Sequence, residues 1–330
     1  MDVSLATWAA LLVLVAAMLA FDLVVFGRGR RVVTLGEAAG WSVAWIVLAL
    51  GFGALLWLWQ GGQAGSEYLT GYLLERSLSL DNVFVFAVLF GYFAVPLAVQ
   101  PRVLAWGIAL ALVLRLGFIL VGAALLAHFH ATFYLFGALM LYTAYKLARH
   151  DASDVEPERN PALRALRRRV PMTASYHGHR LTVREGGRRL ATPLVAVFVV
   201  VATTDVVFAV DSIPAIFAVT REPFIVFAAN AFAMLGLRAL YFALVGMMDR
   251  FAYLSHGLAV ILAFIGAKML LIDLWHPPIW LSLAVIVGVL ASTAALSAIV
   301  PRVGEWRRRA GARPGPSPAG RPRPGSEPPR

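Results

Sequence analysis

The chain has 330 residues, of which 60% are hydrophobic and only 14% are charged, and its mean hydropathy is +0.76. This composition excludes an ordinary soluble domain and indicates a polytopic membrane protein. The absence of cysteine excludes disulfides, thiolate metal ligation and thiol redox chemistry.

Apolar runs long enough to cross the bilayer recur along the chain, since about 20 helical residues span the roughly 30 Å hydrocarbon layer. They predict an all-α polytopic membrane protein with about nine transmembrane helices. The predicted spans are 5–27, 41–60, 68–90, 103–127, 132–148, 193–219, 224–247, 252–274 and 278–300.

The predicted spans divide the chain into five segments. A first helix and basic inside loop occupy 1–40, helices 2–5 occupy 41–148, a basic cytoplasmic loop 149–192, helices 6–9 occupy 193–300, and a disordered basic tail rich in Pro and Gly 301–330.

Arginine distribution predicts the orientation, because short loops rich in Lys and Arg stay in the cytoplasm. Arginines concentrate in the first loop, in 149–192 and in the tail, whereas the predicted outside connections hold only Arg221. The N-terminus is therefore predicted outside and the C-terminus in the cytoplasm. The net charge of +11 then reflects topology and contact with anionic lipid, and no nucleic acid is expected as a partner.

Two apolar stretches carry the same pattern of acids. Residues 75–90 read ERSLSLDNVFVFAVLF and residues 203–219 read TTDVVFAVDSIPAIFAV. Each contains an acid, five intervening residues, an aspartate and then a small polar residue. The matching side chains are Glu75, Asp81 and Asn82 in the first stretch and Asp205, Asp211 and Ser212 in the second.

The similarity extends over a block of three helices. Residues 114–122 resemble 237–246, which matches Arg115 with Arg238, and residues 133–146 resemble 252–268. When a block with an odd number of spans is repeated, the second copy crosses the membrane in the direction opposite to the first. The sequence thus predicts an inverted three-helix repeat, helices 3–5 and 6–8, with a site near the midplane between the repeats.

Carboxylate, amide, hydroxyl and carbonyl oxygens suit a hard cation such as Mg²⁺, Ca²⁺ or Mn²⁺. Pro214 predicts a broken or kinked helix that frees the carbonyl of Val210 as an extra ligand. Asn230 either hydrogen-bonds across helices or completes the site.

The arginines leave an alternative open. Arg115 and Arg238 either balance the negative charge of an empty site or form buried ion pairs with the acids that only fix helix register. Three further acids lie towards the ends of predicted spans, where solvation is expected: Asp22, Asp249 and Asp273.

Two other functional classes compete with a transporter. An enzyme is not expected, because the chain has no H-E-x-x-H motif and no glycine-rich phosphate loop. A non-transporting accessory protein remains the other alternative. The acids of the two motifs carry more negative charge than one divalent cation neutralises. This favours transport coupled to protons, which would compete with the metal ion for the same oxygens.

The stretches ERSLSLDNVFVFAVLFGYFAVP, ATPLVAVFVVVATTDVVFAVDSIPAIFAVT and NAFAMLGLRALYF resemble the TerC family of bacterial integral membrane proteins, which is named for tellurium resistance. The likeness covers about residues 41–300. It implies a manganese exporter of the cytoplasmic membrane, with Mn²⁺ as cargo and no prosthetic group. The residues alone leave Ca²⁺ open as the exported ion.

On this likeness the acidic motifs supply the metal ligands. VATTD departs from the family pattern just before Asp205. The implied ligands are Glu75, Asp81, Asn82, Asp205, Asp211 and Ser212, with Arg115, Arg238, Asn230 and Val210 in support.

Overall fold

A computed structural model describes residues 3–27, 34–149, 160–178, 180–185, 187–244, 254–275 and 277–299. The predicted tail 301–330, Asp249 and most of the first inside loop lie outside the described residues, so the expectations for them stay predictions.

The described chain is predominantly helical, as predicted. Its helices are α1 (Leu5–Gly27), α2 (Leu35–Gln60), α3 (Gly62–Tyr92), α4 (Gln100–His128), α5 (Ala131–Arg149), α6 (Pro161–Arg169), α7 (Pro193–Phe217), α8 (Pro223–Leu235), α9 (Leu237–Leu244), α10 (Leu254–Leu270) and α11 (Ile279–Ile299).

Length and hydropathy qualify six of the described helical segments as membrane spans: α1, α2, α4, α7, the α8–α9 pair and α11. The other predicted spans coincide with α3, α5 and α10. Helix α3 is less apolar because it carries the first acidic motif, and α10 has only 17 residues. The structure therefore supports an all-α membrane protein, while the exact number of spans stays a prediction.

The predicted basic loop 149–192 contains regular structure that its charge did not indicate. Besides α6, it forms an antiparallel hairpin of β1 (Thr182–Glu185) and β2 (Arg188–Ala191). The Tyr176 hydroxyl donates a 2.6 Å hydrogen bond to the carbonyl of Phe93, and burial raises the pKa of Tyr176. This bond ties the extramembrane segment to the end of α3.

Helix packing brings the two acidic helices together in the interior. Helix α3 packs against α7 and α8, α4 also packs against α7 and α8, and α5 lies along α10. The last pair approaches closely at Gly137 and Gly266, where a Cβ on Gly266 would lie 2.9 Å from the carbonyl oxygen of Gly137. Small residues allow the backbones of α5 and α10 to approach this closely.

Two features shape the helices beside the site. Helix α7 continues through Pro214, so the expected break is wrong, while a kink there and the free carbonyl of Val210 stay predictions. The predicted span 224–247 is instead interrupted at Gly236, between α8 and α9. There Arg76 donates a 3.0 Å hydrogen bond to the carbonyl of Ala233, which is one of the last carbonyls of α8.

Candidate functional site

A buried guanidinium stands at the centre of the predicted site. Helix α4 carries Arg115, whose side chain is 1% exposed. Its Nη1 donates hydrogen bonds to Glu75 Oε1 on α3, to Asn230 Oδ1 on α8 and, at 3.2 Å, to Ser212 Oγ on α7. Three oxygens from three helices thus converge on one nitrogen.

The second acid of the cluster lies slightly farther from the guanidinium. Asp205 Oδ1 on α7 is 3.7 Å from Arg115 Nη2, and both side chains are buried. In the part of the chain that the structure describes, neither carboxylate oxygen of Asp205 makes a hydrogen bond, and neither do Nε and Nη2 of Arg115. Asp205 and Arg115 are therefore electrostatically paired without a formed hydrogen bond.

A cavity of about 110 Å³ extends from this cluster to the second aspartate of α7. Asp211 lines the cavity and accepts a 3.0 Å hydrogen bond from Thr143 Oγ1 on α5. Asn82 lines the same cavity from α3 and is buried. The cavity is therefore lined by side-chain oxygens from both acidic motifs.

The structure brings together most, but not all, of the predicted residues. Glu75, Asn82, Asp211, Ser212 and Arg115 share the cavity, and Asp205 and Asn230 contact the arginine. The side chain of Asp81 lies outside the described residues. The cavity also includes Thr143, which the sequence reasoning missed because a threonine in an apolar helix carries no distinctive signal.

The two arginines matched by the sequence repeat have different partners. Arg238 on α9 lies 2.8 Å from Asp22 Oδ2 on α1, and its Nη2 also donates to the backbone carbonyl of Asp22. Asp22 is only 2% exposed, so its expected solvation is wrong, whereas Asp273 is about half exposed as expected. Of the matched pair, Arg115 contacts the acidic motifs, and Arg238 forms a buried ion pair with the first helix.

The described conformation balances the acids with an arginine. Among the described side chains, no three of the His, Cys, Asp and Glu type lie close enough together to hold a metal ion. Glu75 and Asp205 are instead arranged around the guanidinium of Arg115. A divalent cation could bind these oxygens only if Arg115 moved.

The fold and this buried polar cluster define a multi-pass helical membrane protein with a charged interior site. A family model described as "Integral membrane protein TerC family" matches residues 60–305. The chain belongs to the TerC family, as the resemblance of its motifs implied.

Similar proteins cover almost the whole chain. "Uncharacterized membrane protein STKORF319" of Myxococcus xanthus is 46% identical over 89% of this chain and 92% of its own length. "Putative membrane-bound redox modulator Alx" of Escherichia coli strain K12 is 47% identical over 89% of this chain and 94% of its own. No solved structure matches the chain.

Proposed function

We propose that the protein is a secondary transporter that exports a hard divalent cation, Mn²⁺ first among them, from the cytoplasm of a bacterium. The observation that carries this proposal is the convergence of Glu75, Ser212 and Asn230 from three helices in the membrane interior, with Asp205 beside them. Packing alone gives no reason to retain such a cluster.

Buried acids are costly in a membrane. Insertion scales assign a central aspartate about 2.5 to 3.5 kcal/mol, so intramembrane acids mark ion pathways by default. Arg115 offsets part of this cost in the described conformation. Carboxylate, amide and hydroxyl oxygens favour Mg²⁺, Ca²⁺ or Mn²⁺, and family membership favours Mn²⁺, with Ca²⁺ as the alternative cargo.

Helix packing supports the proposed inverted repeat. A two-fold relation that maps α3 onto α7, α4 onto the α8–α9 pair and α5 onto α10 would turn the contact of α3 with this pair into the contact of α7 with α4. Both contacts are extensive, and α5 packs against α10, the helix to which it would map. Nine spans, an outside N-terminus and a cytoplasmic C-terminus complete the proposed topology, with the site between the repeats as in other secondary transporters.

Proton antiport is the proposed driving mechanism. Glu75 and Asp211 line one cavity, where a proton and a cation would compete for the same carboxylate oxygens. Protons taken up from the outside after cation release would then be displaced when a cytoplasmic cation binds.

The name of the Escherichia coli relative suggests a redox role as a second candidate. In this chain such a role could not use thiols, because the sequence has no cysteine. No observation favours an enzyme, and a non-transporting accessory protein would tolerate neutral substitutions in the acidic cluster.

The test is Mn²⁺ flux in proteoliposomes under an imposed pH gradient, with Ca²⁺, Mg²⁺ and Zn²⁺ as competitors. Glu75→Gln and Asp211→Asn should each lower flux by about tenfold or more, because each removes a carboxylate from the cavity. Asp273→Asn, at an exposed carboxylate, is the matched control and should transport normally. Absence of flux for every cation in folded wild-type protein would refute the proposal, and flux insensitive to a collapsed proton gradient would refute only the antiport.

A further inference from the structure

The nitrogen Nη1 of Arg115 lies where a small cation would be expected to bind. It contacts one carboxylate oxygen, one amide oxygen and one hydroxyl oxygen, contributed by Glu75, Asn230 and Ser212. These are the ligand types that hard cations take from proteins. A cation and this guanidinium nitrogen therefore cannot occupy the oxygen cluster at the same time.

Asp205 offers the guanidinium a second set of acceptor oxygens next to the first. Asp205 is 2% exposed, and within the described residues both of its carboxylate oxygens lack a hydrogen bond. Arg115 Nη2, 3.7 Å away, also lacks one. Buried polar groups of this kind are normally hydrogen-bonded, so an unformed pair between facing partners favours a second arrangement in which it forms.

We propose that Arg115 is a tethered counter-cation that alternates with the transported ion. Without cargo, its Nη1 holds Glu75, Ser212 and Asn230, as in the described conformation. Cargo binding displaces the guanidinium fully onto Asp205, which therefore receives the arginine and is not itself a ligand of the ion. This inference rests on the proposed transport function and assigns Asp205 a different role from that implied by the family resemblance.

The exchange has a consequence for the transport cycle. Net transport requires the carrier to change its facing once with the cation and once without it, and on the return Asp211 is left to carry the antiported proton. A cation-free carrier without Arg115 would leave Glu75 and Asp205 without their shared counter-charge. Uncompensated buried charge is strongly unfavourable in the membrane interior. The loaded carrier does not need the arginine at Glu75, because the ion itself supplies the positive charge there.

A static ion pair that only fixes helix register predicts a different pattern. Removal of a structural arginine would lower the amount of folded protein and would slow every mode of transport by the same factor. The two roles are therefore separated by comparing net flux with exchange, since exchange of labelled for unlabelled ion uses only the loaded carrier.

The experiment measures Mn²⁺ net flux and Mn²⁺/Mn²⁺ exchange in proteoliposomes of wild type, Arg115→Gln, Arg115→Lys and the exposed control Arg221→Gln. In Arg115→Gln, net flux should fall about tenfold or more and exchange should fall clearly less, because the loaded carrier leaves only Asp205 without its counter-charge, whereas the empty carrier leaves both Glu75 and Asp205. The half-saturating Mn²⁺ concentration for exchange should fall, since the internal competitor is gone. Arg221→Gln should match wild type in both modes.

Arg115→Lys keeps the positive charge but not the planar fork of donors. If Arg115→Gln does not fold, this variant distinguishes the alternating counter-cation from a static ion pair. It should lose less of both modes than Arg115→Gln, and its net flux should again fall more than its exchange. An equal loss of both modes in either folded variant, or unchanged net flux in Arg115→Gln, would overturn the tethered counter-cation while leaving the transport function intact. Wild-type protein that moves no cation in either mode would overturn both.

Discussion

The ion pair between Asp22 and Arg238 should contribute strongly to the stability of the fold. Asp22 Oδ2 and Arg238 Nη2 are 2.8 Å apart, and the side chains are only 2% and 1% exposed. The pair joins α1 to α9, which are distant in sequence. Asp22→Asn would remove the carboxylate from this pair while the guanidinium stays in the interior.

The expected loss for Asp22→Asn is about 3 kcal/mol in the free energy of unfolding, at the lower end of the range for breaking a buried pair. The lower end applies because Arg238 Nη2 also donates to the backbone carbonyl of Asp22, and that bond does not require the carboxylate. Arg238→Met should lose a similar amount, because it leaves the buried carboxylate without its partner. The double variant should lose clearly less than the sum of the single losses.

The assay is unfolding by SDS in mixed micelles, followed by tryptophan fluorescence, for wild type, both single variants and the double variant. Asp273→Asn is the matched control, because that carboxylate is 54% exposed, and it should change stability by less than about 0.5 kcal/mol. Strictly additive losses in the two single variants would show that the carboxylate and the guanidinium do not stabilise each other, and would refute the reasoning.

Two further substitutions test the packing and the cavity. Gly266→Val should lower the free energy of unfolding by about 1 to 3 kcal/mol, because its Cβ would lie 2.9 Å from the Gly137 carbonyl oxygen. Gly288→Val is the control, because a Cβ there meets nothing within 4 Å, and it should show little change in the same SDS titration. Thr143→Val should raise the half-saturating Mn²⁺ concentration by about threefold to tenfold, because it removes the 3.0 Å hydrogen bond that positions Asp211. Unchanged Mn²⁺ dependence in folded Thr143→Val protein would place Asp211 outside the transport site.

The sequence predicted the membrane class and the approximate positions of the helices, because hydropathy over about 20 residues is a local property. The predicted span 5–27 coincides with α1. The break at Gly236 escaped prediction, because it coincides with a hydrogen bond from Arg76 on a different helix. At Pro214 a break was expected and is absent, since helix α7 continues through this residue.

The acidic motifs were visible in the sequence because two carboxylates in an apolar run are costly and thus conspicuous. Their partners were not. Repeat matching treats Arg115 and Arg238 as equivalent, yet Asp22, which lies outside the repeat, pairs with only one of them. Which arginine reaches the acids depends on contacts between helices far apart in the chain.

The sequence by itself thus determined that the protein is a membrane protein, which family it belongs to and which residue types form its candidate site. Only the tertiary structure decided that Glu75, Ser212 and Asn230 converge on a single nitrogen of Arg115, and that Asp205 faces the same guanidinium without a hydrogen bond. The physical reason is that hydropathy and charge spacing act along one helix, whereas the neighbours of a buried charge are set by how separate helices pack.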